Sequence, residues 1–256
     1  MTEATMRQLF PFVREFEDAT AIYDELTWPA GQGGRPYVAV NMVSTLDGRA
    51  TVGGRVKGIG SELDRRLMSK LRSAADAVLR GAGTVRSNPA FPGVVAADVP
   101  LRRRKGLTDQ PLAVIVSGSL DLPWQRGFAA NAPTPPIVLT AAAAPPERLE
   151  EARAWARVHV VGDDRVELEQ GLTLLAREYG VRRLLCEGGP HLNWQLLAEG
   201  LLDEWFWTVA PKFGGGTADL PSVAGPEALP LPEFELVSAY VHQHELFLRY
   251  RRVGAP

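Results

Sequence analysis

Residues 182–200 read RRLLCEGGPHLNWQLLAEG. An apolar run of strand length ends in an acid and two glycines, and a short segment of helical composition opens at Pro190. Glycine lets the backbone turn sharply and lets a ligand approach the amide nitrogens. A helix beginning just beyond presents free N–H groups and the positive end of its dipole. Proline suits the first helical position, where its missing N–H costs nothing. Strand, glycine turn and helix in that order are the unit of an α/β fold, and they predict a parallel strand with a ligand-facing turn at its carboxyl end.

Working outward, the same alternation recurs. Apolar runs stand at YVAVNMV (37–43), ADAVLR (75–80), LAVIVS (112–117), PIVLT (136–140) and VHVV (158–161). Short runs so rich in Val, Leu and Ile suit strands covered on both faces, hence a largely parallel sheet. Between them SELDRRLMSKLRSA (61–74) has Ser61 as an N-cap and Leu63, Leu67 and Leu71 on one face. PERLEEARAWAR (146–157) opens on a proline, and ELEQGLTLLAREYG (167–180) carries Leu168, Leu172, Leu175 and Tyr179 on a stripe that stops at Gly180. The last segments, EWFWTVA (204–210), FELVSAYVHQ (234–243) and HELFLRYRR (244–252), are richer in aromatics and alternation, and the final two are spaced to pair as a hairpin. The fold class is therefore α/β, a mainly parallel mixed sheet flanked by helices and ending in antiparallel strands. Residues 1–35 read as an N-terminal extension with one helix over DATAIYDEL (18–26) and a Pro/Gly-rich linker, and 36–256 as the main domain.

The composition excludes several classes. A formal net charge of -2 argues against a general nucleic-acid binder, which concentrates positive charge. RRRK at 102–105 reads as a solvated loop or as a contact to a ligand phosphate. No apolar stretch is long enough to span a bilayer and the N-terminus has no signal-peptide core, so the expected location is the cytoplasm. Cys186 is the single cysteine, which rules out an internal disulfide, and it reads as buried packing. Of the four histidines, His159 and His191 are isolated and His242 and His244 lie in HQH, so no metal site is expected. Neither a G-x-S-x-G elbow nor a zinc deaminase signature occurs.

A second glycine turn follows a strand at LRGAGTVRSNP (79–89), with Gly81 and Gly83. Neither turn matches G-x-G-x-x-G or the nucleotide P-loop, and either alone is as readily structural as functional. Two such turns at strand carboxyl ends favour a dinucleotide over a single phosphate.

Taken together, VSTLDGRAT (43–51), the helix with LRGAGTVRSNP behind it, LLCEGGPHLNWQLLAEGLLDE (184–204) and APKFGGG (210–216) resemble the reductase domain of riboflavin biosynthesis, similar in fold to dihydrofolate reductase. The resemblance covers about 36–256. It implies NADPH as cofactor, a homodimer, and hydride transfer from nicotinamide C4 to C1′ of the opened ribosylamino group of 5-amino-6-(5-phosphoribosylamino)uracil. It places the cofactor along Ser44, Thr84, Ser117 and the run Gly188, Gly189, Pro190, His191, Leu192. Ser117 and Ser119 are candidates for the ribose 2′-phosphate, and Thr84 is a phosphate donor or a helix N-cap. Substrate falls to Arg72, as a phosphate fork, and to Glu187, as an acceptor from ring N–H or ribose hydroxyl. Asp47 reads as a turn former. No residue is named as the proton donor.

Three departures from the family pattern lie mainly on the substrate side. Val56, Lys57, Gly58 and Ile59 replace a Ser-x-Trp-Ile segment; Asn88 stands where a carboxylate would meet the cofactor ribose; and AFPGVVAAD (90–98) lacks a phosphate-binding arginine, a loss for which Lys57 or the RRRK run is a candidate replacement. A pterin or dihydrofolate reductase therefore stands as an alternative, and a non-catalytic NADPH-binding regulator as a second.

Overall fold

The computed structural model describes residues 5–56, 58–216, 219–227 and 230–254. Its centre is the parallel run foreseen above. The strands are β1 (Met6–Phe10), β2 (Arg14–Phe16), β3 (Tyr37–Ser44), β4 (Ala77–Gly81), β5 (Leu112–Val116), β6 (Ile137–Thr140), β7 (Arg157–Val160), β8 (Arg183–Cys186), β9 (Glu204–Val209), β10 (Phe234–His242) and β11 (Glu245–Arg252). They form an eleven-stranded sheet in the order β2-β1-β10-β11-β9-β3-β8-β4-β5-β6-β7. From β9 to β7 every pairing is parallel, and from β9 outward through β11, β10, β1 and β2 every pairing is antiparallel.

Helices α1 (Glu62–Arg72), α2 (Ala82–Ser87), α3 (Val99–Arg104), α4 (Gly127–Ala130), α5 (Pro146–Arg153), α6 (Leu168–Tyr179) and α7 (Pro190–Ala198) complete the layers. Ser61 caps α1 as expected, its hydroxyl accepting from Asp64 N at 3.1 Å, and Gly180 ends α6 in the left-handed conformation at φ 66°. β3 shows why its sequence is apolar without a break. Val38 and Val40 pack under α6 and α7, while Tyr37 and Ala39 pack under α1, so both faces are dry.

Residues 5–35 join this sheet and core. β1 pairs with β10, and Met6, Tyr23, Leu26 and Trp28 are buried in one cluster with Tyr37 and Phe206. MRQLF turns only Met6 and Gln8 inward, too short an alternation to announce a strand. The expected helix over 18–26 is a single 3-10 turn over Ala19–Tyr23, capped by Asp18, whose carboxylate accepts from Thr20 N at 2.8 Å.

RRRK is neither a loop nor, at Arg102, solvated. It ends α3, and the fully buried Arg102 guanidinium donates to Arg72 O and Ala75 O at 2.7 Å each, and to Thr108 O at 2.6 Å. Arg102 thereby braces the end of α1 and the turn behind it, adding to the bond that Arg72 O accepts from Ala75 N at 3.2 Å. Arg103 pairs at the surface with Asp109.

Candidate active site

Parallel pairing brings the carboxyl ends of β3, β8, β4 and β5 to one edge of the sheet, and each delivers residues singled out above: Ser44, Glu187 with Gly188, Gly81, and Ser117. The two glycine turns meet there. Gly81 N donates to Gly188 O at 2.7 Å and Glu187 N to Leu79 O at 2.9 Å, so the turns are laced to each other. A Cβ on Gly81 would lie 3.4 Å from Gly189 N, and one on Gly189 would lie 3.3 Å from Thr84 Oγ1. Gly188 has φ 77°, a value that favours glycine, and its Cβ would stand 3.1 Å from Met42 Sδ. The Gly188–Gly189 peptide is cis. Gly83 is open to solvent, with nothing within 4 Å of its Cβ position.

Helix α7 opens directly on this cradle. Gly189 is its N-cap with no side-chain cap and Pro190 has no N–H, so the amides of His191 and Leu192 are the first-turn donors without a helical partner. His191 is exposed, and its Nδ1 lies 2.9 Å from Ala224 O; because a carbonyl only accepts, Nδ1 carries the proton. Leu192 is buried beneath the turn. Gly81 is the N-cap of α2, and Thr84 stands in its first turn, so Thr84 is not itself the cap. Asn88 ends α2, exposed, with its carbonyl held by Arg80 Nη1 at 3.2 Å.

Two hydroxyls of the proposed cofactor set are committed to the fold. Ser44 is fully buried, donates to Thr45 O at 3.0 Å and accepts from Trp207 Nε1 at 2.8 Å. Ser117 Oγ accepts from Leu120 N at 3.0 Å.

On the other side of β8, Arg72 and Glu187 meet each other. Arg72 Nε donates to Glu187 Oε1 at 2.6 Å and Nη2 to Oε2 at 2.8 Å, with the side chains only 11% and 8% exposed. Arg72 Nη1 also donates to Gly93 O at 2.8 Å. The fork of Arg72 is thus spent on a protein carboxylate, which it orients toward the turn. Lys57, expected near the substrate, lies outside the described residues.

Sequence reasoning passed over Arg80. It is 2% exposed, donates to Ala90 O at 2.7 Å as well as to Asn88 O, and burial pushes its guanidinium down to about 10 while the Glu187 charge opposes that. The one signal was a charge inside the run ADAVLR. Asn193 is also fully buried, with Nδ2 donating to Ser222 O at 2.9 Å. Cys186 is buried too, and desolvation pushes its thiol up to about 12, which makes it unreactive packing. Asp47 accepts from Thr45 Oγ1 at 2.6 Å, Gly214 N at 2.9 Å and Gly215 N at 2.8 Å, bonds that hold its carboxyl well below the usual range.

The arrangement sets two interlaced glycine turns at the carboxyl ends of β4 and β8 beside a carboxylate braced by Arg72. Among the described residues no helix is long and apolar enough to cross a membrane. A protein named 2,5-diamino-6-ribosylamino-4(3H)-pyrimidinone 5′-phosphate reductase from Archaeoglobus fulgidus is 36% identical over 76% of this chain and 88% of its own. One of the same name from Methanothermobacter thermautotrophicus is 32% identical over 86% and 100%. Among solved structures, a pyrimidine reductase-like protein from Corynebacterium diphtheriae superposes with a TM-score of 0.79 at 22% identity, covering 91% of this chain and 98% of that one, a likeness of fold. The fold is of the dihydrofolate reductase-like kind, and the reductases so named imply a nicotinamide cofactor. Residues 36–248 match the family described as the RibD C-terminal domain, and the chain belongs to it.

Proposed function

We propose that this protein uses NADPH to reduce the ribosyl side chain of a 6-ribosylaminopyrimidine 5′-phosphate to its ribityl form, as a cytoplasmic enzyme of riboflavin biosynthesis. The observation that carries the reading is the meeting of the two glycine turns, Gly81 N to Gly188 O at 2.7 Å, with the Arg72–Glu187 pair immediately behind. Positions where a side chain would intrude are glycine, and the turn at Gly188–Gly189 leads onto uncapped amides of α7, so the residues present fit an extended pyrophosphate. NADPH, when bound, supplies the hydride. Gly81, Gly83, Thr84, Gly188, Gly189, Pro190, His191 and Leu192 line its path, and Asn88 is placed to reach a ribose. Arg72 fixes the Glu187 carboxylate, whose remaining lone pairs accept from the substrate. Alignment and exclusion of water are what the chain itself contributes.

The relatives from Archaeoglobus and Methanothermobacter are named for the 2,5-diaminopyrimidinone, whereas the sequence resemblance pointed to the uracil. The two differ at ring position 2, amino against oxo. The test is NADPH oxidation with both pyrimidines and with dihydrofolate side by side. Turnover of either pyrimidine phosphate supports the reading; turnover of dihydrofolate alone makes the protein a pterin reductase; NADPH binding with no turnover makes it a non-catalytic binder; and failure to bind NADPH overturns the cofactor site.

The homodimer is part of the proposal. On the side of the sheet away from α1, Trp207, Val209, Leu246, Leu248 and Tyr250 align across β9 and β11 as half-buried residues. A second copy covering this apolar face accounts for its composition. Leu248→Glu is expected to convert the dimer to monomer in sedimentation equilibrium, and an unchanged dimer would move the interface elsewhere.

A further inference from the structure

The loop after β3 and the helix after β8 never touch each other in the hydrogen bonds above, yet both are tied to the same stretch of chain. At one end, Leu46 N donates to Lys212 O at 2.8 Å, and Asp47 takes Gly214 N and Gly215 N on separate oxygens at 2.9 and 2.8 Å. Lys212 Nζ reaches back to Gly58 O and Ile59 O at 2.7 Å each. Asp219 accepts from Gly54 N at 3.0 Å, and Arg49 Nη1 donates to Asp219 O at 2.9 Å. At the other end, Asn193 Nδ2 donates to Ser222 O at 2.9 Å, Ala224 N to Pro190 O at 3.1 Å, and Trp194 Nε1 to Pro226 O at 2.7 Å. Gly225 sits so tightly on Trp194 that a Cβ would fall 2.2 Å from the indole.

We propose that Asp47 is a positioning residue: through segments 210–216 and 219–227 it ties the substrate-side loop to the helix that opens on the cofactor turn, so that each ligand strengthens the binding of the other. The proposal rests on the functional reading above, since it takes 45–60 as the substrate side and Gly188–Leu192 as the cofactor side. The physical cause is ordering. A ligand that fixes one end of the tie lowers the entropy the second ligand must give up to fix the other, and the gain is reciprocal. Asp47 is the point to cut because it is exposed, belongs to no strand or helix, and makes its two bonds to Gly214 and Gly215 with its carboxylate, beside the backbone bonds Leu46 N to Lys212 O and Ala50 N to Leu220 O at 2.8 Å each.

The experiment uses NADP+ and the ribosylaminopyrimidine 5′-phosphate, a pair that cannot turn over. NADP+ affinity is measured by calorimetry with and without the pyrimidine, on the full chain and on Asp47→Asn. The amide nitrogen cannot accept from an N–H, so one of the two loop bonds is lost while shape is kept. In the unmodified protein the pyrimidine is expected to tighten NADP+ about tenfold. In Asp47→Asn that factor should fall to about threefold, because the bonds of Leu46, Lys212 and Asp219 remain, while KM for the pyrimidine should rise and NADP+ affinity alone should stay within about twofold. Asp219→Asn, which loosens the same loop at Gly54, should lower the factor by a smaller amount. Independent binding in the unmodified protein, or full coupling kept in Asp47→Asn, would overturn the proposal. Neither result affects the functional reading, which fails separately if NADPH is not oxidised with either pyrimidine.

Discussion

The parallel and antiparallel halves of the sheet meet at β9 and build their shares of the proposed site in different ways. On the parallel side, each residue of the proposed site comes straight off a strand end: Gly81 from β4, Glu187 and Gly188 from β8. On the other side, the loops 45–56 and 210–216, taken as the substrate side of the proposed site, hold their shape by bonds to each other. A strand end is positioned by the ladder behind it, so its geometry is inherited. Crossed loops must be positioned by side chains, so each bond there is separately breakable.

Glu187, on the substrate side, is expected to be the position most sensitive to substitution. Glu187→Gln keeps the shape beside Arg72 but removes the charge and half the accepting capacity. We expect turnover to fall about a hundredfold or more, with NADPH affinity kept within about threefold as long as the glycine cradle is untouched. Loss of the ion pair should also lower Tm, since the buried Arg72 loses its countercharge. Steady-state kinetics, cofactor titration and thermal melts separate the three; turnover at the unmodified rate would remove Glu187 from the site.

The second effect is its mirror on the cofactor side. Gly189→Val puts a branched side chain where even a Cβ stands 3.3 Å from Thr84 Oγ1. NADPH affinity should fall at least tenfold, whereas Cys186→Ala, three residues away in the strand, should change it less than twofold because the thiol faces the core. Equal effects of the two variants on cofactor titration would make the glycine turn a folding element only.

The contrast also explains what the sequence makes legible. Strand, glycine and helix are consecutive in the chain, so the cradle at 79–89 and at 182–200 reads directly from local patterns. The substrate side does not, because its contacts join distant residues: 115 positions separate Arg72 from Glu187, and 167 separate Asp47 from Gly214. Nothing in a single arginine says whether its fork meets a phosphate or a carboxylate of the same chain. The RRRK run misleads for the same reason, since a buried arginine capping α1 and an exposed one at Arg103 look alike until packing separates them. β1 is hidden because its partner, β10, lies at the other end of the chain.

The two halves of the sheet also differ, more modestly, in how they respond to pH. Among the carboxyls with a resolved shift, Asp18, Asp47, Asp109 and Asp219 are lowered by hydrogen bonds. Asp64, in the first turn of α1 against the antiparallel strands, is instead raised to about 6, chiefly by burial and then by the neighbouring Glu245, with a Thr208 hydrogen bond opposing. An acid whose pKa is higher in the folded state holds its proton more tightly there, so stability from this group is greatest below about pH 4 and is lost as pH rises to about 6. Asp64→Asn removes that loss and keeps a neutral polar group. It also gives up a favourable charge near the helix N-terminus, worth about 0.3–1 kcal/mol, so the net gain at pH 7.5 should be on the order of 1 kcal/mol, with none at pH 4. Thermal melts across that range distinguish causes. A gain that grows between pH 4 and 6 assigns the cost to the buried charge, whereas an equal change at every pH assigns it to packing and leaves the antiparallel half without an ionisation penalty.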